Sequence, residues 1–212
     1  MKKIIYTLAI AVAFASCQSA PEGEKAQTSE TKEVAQTSGA TYKADIANSV
    51  VGFVGTKPVG THNGEFKLSD GSISVENGNI TGGSFTIDIN SLKITDKDTA
   101  FTGKLTGHLL SEDFFKSSQY GTAKFEITSC EALNNDPAGT HKLSGNLTLR
   151  DSTQNVSFPA KVTLGENDLN ATAEFVIDRT KWGMFYGNDK SLGDKFIYPE
   201  VKIMLNLKAN KG

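Results

Sequence analysis

Three histidines, His62, His108 and His141, are the side chains best suited to proton transfer or metal ligation, and none stands in HxH or HExxH spacing. Only a fold that gathered them in space could make a metal site, so no metal or cofactor is expected. Serine-histidine-aspartate chemistry would normally announce itself through a G-x-S-x-G turn, which is absent. Glu112 and Asp113 are adjacent, and neighbouring residues do not share a helical face, so they make no acid–base dyad; they suit the end of a helix. Asp178-Arg179 admits two readings: an arginine for a phosphate head, or a salt bridge pinning the loop that carries Trp182. Cys130 has the parity of Lys124, Glu126 and Thr128 but no partner for a disulfide and nothing nearby to lower its pKa, so a buried or half-buried inert thiol is expected. These observations point away from an enzyme.

The remaining chemistry is apolar. Twelve phenylalanines occur, many of them on the apolar parity of alternating segments. Phe85, Ile87 and Ile89 alternate with Thr86, Asp88 and Asn90, and Ala123, Phe125 and Ile127 alternate with Lys124, Glu126 and Thr128. The same rule runs through Val156–Leu164, Leu169–Ile177 and Val201–Leu207. A period of two is the pattern of strands with one apolar and one wet face. Asn77-Gly78-Asn79, Asn134-Asn135-Asp136-Pro137 and Gly165-Glu166-Asn167-Asp168 supply turns between them. Earlier candidate strands are Val50–Gly55, Gly64–Leu68 and Ser72–Val75.

One stretch breaks the rule. Phe101, Leu105 and Leu109 recur at helical spacing between Thr95 and Phe115, with Thr95, Asp96 or Asp98 available as an N-cap; Gly103 and Gly107 keep the helix short. The fold expected is therefore all-β: an antiparallel β-barrel of about eight strands with one short helical insertion as lid or plug. Closure removes the exposed sheet edges that so many strands would leave.

The chain of 212 residues carries 22 basic and 24 acidic side chains, a formal charge of −2, which argues against nucleic acid as a partner. Residues 1–16 read as a signal peptide: Lys2 and Lys3 precede the apolar run Ile4–Ala15. Phe14-Ala15-Ser16-Cys17 resembles a lipobox, which would acylate Cys17 and attach the protein to a membrane. Residues 18–40 lack aromatic residues and have Val34 as their single β-branched aliphatic, so a flexible tether is expected over 17–40 and the folded domain over 41–212.

The ordered motifs of that domain resemble the YceI-like family. His108-Leu109-Leu110-Ser111-Glu112-Asp113-Phe114-Phe115 with Tyr120 is similar to the family's HL-x-S-x-DFF…YP signature. Leu143–Thr148, with Thr153 and Val156, is similar to its G-x-LT strand. Phe175–Met184, with Asp178-Arg179 and Trp182, is similar to its F-x-IDR-x-x-[FW]-G stretch. Tyr42, Asp45, Ser49-Val50, His62-Asn63-Gly64 and Gly82-Gly83-Ser84-Phe85 fit the opening, so the likeness covers about 42–209. Gly121 follows Tyr120 where proline is usual, Arg150-Asp151 stands where His-Gly is common, and Thr106 replaces a frequent Asp.

The resemblance implies an exported protein of the bacterial envelope, periplasm-facing or at the cell surface, whose lipocalin-like barrel binds isoprenoid lipid. It extends to homodimerisation, on which the residues are silent. Parity and bulk nominate Phe53, Phe66, Phe85, Ile87, Phe125, Phe158 and Phe175 as cavity lining. His108 is read either as a hydrogen-bonding partner for a ligand head or as a buried histidine satisfied by a backbone carbonyl. Trp182, with Phe185 and Tyr186, either lines a pocket entrance or closes the barrel end. The same alternation serves a hollow lumen or a filled core, so a structural or interaction lipoprotein is the competing reading.

Overall fold

The computed structural model describes residues 19–212. Its strands are β1 (Gln27–Ser29), β2 (Ala40–Ala44), β3 (Val50–Lys57), β4 (Gly60–Glu76), β5 (Asn79–Ile94), β6 (Thr122–Ala132), β7 (His141–Leu149), β8 (Ser152–Leu164), β9 (Asp168–Asp178) and β10 (Glu200–Lys211). Between β5 and β6 lies the helix α1 (Thr102–Leu110), and Arg179–Trp182 and Lys190–Lys195 form 3₁₀ turns. Each strand from β3 onward pairs antiparallel with the next, and β10 returns to β3 and β2, closing the barrel. β2 and β3 together make one stave, because both pair β4 on one side and β10 on the other; β4 to β10 make the other seven. The expected antiparallel barrel is therefore present.

Two candidate strands, Gly64–Leu68 and Ser72–Val75, prove to be one long strand. β4 runs unbroken from Gly60 to Glu76, with register shifts at Glu65/Lys67, Leu68/Asp70 and Ser74/Val75; the second bulges Ser69 out while Asp70 and Gly71 stay paired with Thr86 and Phe85. Asn77 and Gly78 both take positive φ, 52° and 80°, the combination a tight hairpin requires between strongly twisted strands.

A bulge makes Cys130 the half-buried, inert thiol expected, although strand parity alone would turn it outward. Ile127 pairs with Gly145 but Ser129 pairs with Ser144, so Thr128 is the extra residue and parity inverts beyond it. Cys130 then faces Leu143 and packs against the core. Burial, with the neighbouring Glu131 charge, pushes its thiol up from 9.0 to about 11. At neutral pH such a thiol carries about 100-fold less thiolate than an ordinary one, so alkylation by iodoacetamide at pH 7.5 is expected to be at least about 100-fold slower in the native protein than in urea. Equal rates would contradict this placement.

The segment expected to be a flexible tether is instead laid against the barrel from residue 24 to residue 38. β8 and β9 pair only through Lys161–Leu164 and Leu169–Thr172, and they diverge towards the other end. Into that gap β1 inserts, pairing antiparallel with Asn155–Ser157, while Lys25 bridges Val176 in parallel. Ala26 N–H donates to Val176 O and Val176 N–H to Glu24 O. The chain then crosses the outer face: Lys32 exchanges hydrogen bonds with the Asn146 amide, Ala35 N–H donates to Ile127 O, and Ser38 N–H donates to Thr81 Oγ1. Low hydrophobicity does not release this strap because backbone groups and outward-facing amides hold it. Asn155, itself buried, donates to Asn146 Oδ1 and Thr128 Oγ1 beneath it. The predicted leader and Cys17 lie outside the described residues.

The helix appears where its period placed it, over Thr102–Leu110, but Phe101 occupies the N-cap position with no side-chain bond to the helix. Asp98 instead accepts from Ala100 N–H, and Asp96 is engaged across the barrel rim. Leu105 and Leu109 turn inward, whereas Phe101 points to solvent.

Candidate lipid cavity

Inside the barrel is a cavity of about 520 Å³. Its wall contains Phe53, Phe66, Phe85, Ile87, Phe125, Phe158 and Phe175, the seven inward residues nominated by parity. Phe158 and Phe175 stack with centroids 3.9 Å apart and planes 10° from parallel. Small residues keep other rings flat against the wall. Phe53 lies over Gly64, directly opposite it on β4, and a Cβ built on Gly64 would come within 2.4 Å of the ring. Phe85 covers Gly71 in the same way, and Phe125 covers Gly145. Rings that would otherwise fill the lumen are thus held beside the backbone, and the core is hollow rather than filled.

The open end is where β3 joins β4, β5 joins β6, β7 joins β8, and β9 joins β10. α1 lies across it, with Leu105 and Leu109 lining the cavity. His108 also lines this end, but not as a histidine satisfied by a carbonyl. Its Nε2 is 2.9 Å from Asp113 Oδ2, and its ring meets Tyr186 edge-on at 4.6 Å and Phe114 at 5.1 Å. Glu112 pairs instead with Lys116, so the adjacent acids serve different partners.

Trp182 does not line the cavity. It is fully buried in the 3₁₀ turn Arg179–Trp182, where its Nε1–H donates to Leu147 O at 2.9 Å, closing the wall from behind. Tyr186, from the same connection, does reach the cavity, while Phe185 is exposed. The aromatic group therefore divides between the two expected roles.

Nor does Arg179 form the expected salt bridge. Asp178 turns its carboxylate to Thr180, accepting from both N–H and Oγ1. The buried guanidinium of Arg179 donates to the carbonyls of Met184, Tyr186, Ile197 and Tyr198 and lies 5.5 Å from the Phe114 ring centre. Burial lowers its pKa, partly offset by the Asp178 charge. Sequence reasoning missed this carbonyl cage, as well as Ile197 and Tyr198 in the cavity wall, because they come from a connection with no strand period.

His62, also on the cavity wall, places Nδ1 2.7 Å from Asp96 Oδ2, and Asp96 Oδ1 accepts from Asn63 N–H and Nδ2. Burial raises the Asp96 pKa, but the hydrogen bonds from His62 and Asn63 outweigh it and hold the carboxyl below its ordinary 3.8. A depressed folded pKa contributes stability above the unfolded value and loses it as pH falls through the folded one. An Asp96→Ala variant is thus expected to melt below the parent at pH 7, with the gap closing as pH falls below about 3.8. A gap independent of pH in urea titrations would refute that linkage. His141 stands at the opposite end beside Thr140. Among the described residues no three His, Cys, Asp or Glu side chains gather as a metal site.

The family model for the YceI-like domain matches residues 42–209. The chain belongs to the YceI-like family. Among curated proteins it is similar to a UPF0312 protein of Ectopseudomonas mendocina (strain ymp), 34% identical over 98 residues, 46% of this chain and 48% of that protein. The match thus spans about half of that relative. Among solved structures it resembles BcnA of Burkholderia cenocepacia (TM-score 0.63, 21% identity, 78% of this chain and 99% of that one). It also resembles a domain from Saccharophagus degradans described as polyisoprenoid-binding and implicated in plant cell wall breakdown (TM-score 0.62, 16% identity, 82% and 99%). At these identities the likenesses establish the YceI-like fold, a closed antiparallel barrel with one short helix.

Proposed function

We propose that this protein binds a long-chain isoprenoid-type lipid, polyprenyl or quinone-like, in its barrel, as a carrier or sequestering lipoprotein of the bacterial envelope. The observation that carries the reading is the hollow lumen of about 520 Å³ walled by Phe and Leu/Ile/Val side chains. That volume lies within the range of roughly 300–1,000 Å³ usual for small-molecule sites. Burying about 300 Å² of ligand hydrocarbon contributes about 7 kcal/mol at about 25 cal/mol/Å², before the costs of association. Membership of the YceI-like family and the polyisoprenoid-binding description of the S. degradans domain support the ligand class. A polar head would rest at the open end, where the buried Thr56 Oγ1, on the cavity wall, has no hydrogen-bond partner.

The lipobox-like Cys17 supports export and acylation. Solvent extraction of the purified protein followed by mass spectrometry tests the cargo, before and after incubation with isoprenoid quinones and polyprenyl phosphates. A stoichiometric isoprenoid in the extract is expected. An extract empty under both conditions would overturn the reading. Acylation is tested separately by fatty-acid labelling, expected to disappear in Cys17→Ser.

A further inference from the structure

We propose that the rim of the open barrel end is itself a membrane-docking surface that seats in the interface of a neutral phospholipid bilayer. Val59, Phe101, Phe185, Tyr186 and Leu192 are exposed, from 44% at Leu192 to 64% at Phe101. All five stand on connections at that end: Val59 between β3 and β4, Phe101 between β5 and α1, and the other three between β9 and β10. Among the described residues the opposite end offers Leu164 alone, at the end of β8, while Ile46 and Val34 lie on the β2–β3 connection and the strap. Water-facing apolar side chains concentrated on one end of a barrel mark an interaction site.

The chemistry of the rim selects the partner. The tips project from three connections around an opening, Val59 and Phe101 from one each and Phe185, Tyr186 and Leu192 from the third, with Lys97, Asp98, Lys104, Asp189, Lys190, Asp194 and Lys195 among them. Apolar tips interspersed with charge suit a fluid interface, which each can enter separately and where aromatic rings and lysine stems are at home. Lys104 Nζ already lies 5.9 Å from the Phe101 ring centre, so the ring can descend while the ammonium stays at head-group level. Near-balanced charge gives no preference for anionic lipid. The opening leads directly to the apolar lumen past Leu105 and Tyr186, so a docked rim joins bilayer hydrocarbon to cavity hydrocarbon. The surface stands independently of the cargo reading, since docking needs no ligand inside.

The test uses residues 17–212 carrying Cys17→Ala, which keeps every described residue and removes both leader and acylation. Flotation with isoprenoid-free phosphatidylcholine vesicles is expected to carry the protein upward. Phe101→Glu/Phe185→Glu is expected to reduce partitioning at least about 10-fold, matching the loss of two apolar side chains. Leu164→Glu, at the other end, is expected to leave it unchanged. As a check independent of folding in the double variant, Phe185→Trp should be quenched by brominated phosphatidylcholine. The proposal is overturned by no flotation of the parent, by unaltered flotation of the double variant, or by no quenching. Flotation only on anionic vesicles that disappears in salt also overturns it, as does rim-dependent self-association without vesicles, which would make a second copy the occupant. Cargo extraction is unaffected by any of these outcomes.

Discussion

Arg179→Met is expected to lower the melting temperature by about 6–12 °C, corresponding to a loss of about 3 kcal/mol at roughly 2–4 °C per kcal/mol for a chain of this size. Methionine can replace much of the volume but none of the hydrogen bonds. The carbonyls of Met184, Tyr186, Ile197 and Tyr198 converge on one guanidinium, which holds the ends of the β9–β10 connection together. Each buried carbonyl left without a donor costs about 1–3 kcal/mol unless water reaches it, so partial relaxation still leaves a large deficit. Arg179→Lys should recover less than half of it, because one ammonium has three donors and no planar fork. The same connection carries Tyr186, and its cleavage by protease should quicken in both variants. Thermal unfolding followed by circular dichroism decides the matter; a midpoint within about 2 °C of the parent would remove Arg179 from its structural role.

Ala171→Phe is expected to weaken lipid uptake about 70-fold while preserving or raising the melting temperature. Ala171 is buried and lines the lumen between Val162 and Leu207 on the neighbouring strands. A cavity of about 150 Å³ suffices to hold a benzene-sized ring, so the added phenyl consumes a substantial part of the 520 Å³ present. Excluding about 100 Å² of ligand hydrocarbon costs about 2.5 kcal/mol. Filling a void adds contacts without uncovering polar groups, which separates this variant from one that simply unfolds. Thr172→Phe, one residue along and facing outward, should bind lipid as the parent does. Full uptake by a folded Ala171→Phe protein would place the ligand elsewhere.

Strand alternation is enough to predict the barrel and the inward face of β3 to β10, because parity survives wherever pairing is regular. It fails at Cys130 because one extra residue, Thr128, reverses every side chain beyond it, and nothing in the residue types marks that bulge. It fails at Trp182 because a 3₁₀ turn follows no strand period. Whether the lumen is hollow depends on which residues oppose the phenylalanines: Gly64 beside Phe53 and Gly71 beside Phe85 are neighbours only once register is known. The strap escapes prediction for a different reason. Composition measures what a segment can bury, whereas residues 24–38 are held largely through main-chain hydrogen bonds and the amide of Asn146, which Asn155 braces from beneath. The rim side chains can be named from sequence but not gathered, since three separate connections meet only when the barrel closes.

The strand that enters between β8 and β9 makes barrel closure reversible in a way the other staves do not share. β1 is three residues long and is the part of the wall held by the fewest ladder bonds, so its release costs far less than global unfolding. When it leaves, Asn155–Ser157 and Val176 become bare sheet edges, templates for any extended segment of matching length. In dilute solution the protein's own strap refills the gap, since a short linker keeps it at roughly millimolar local concentration.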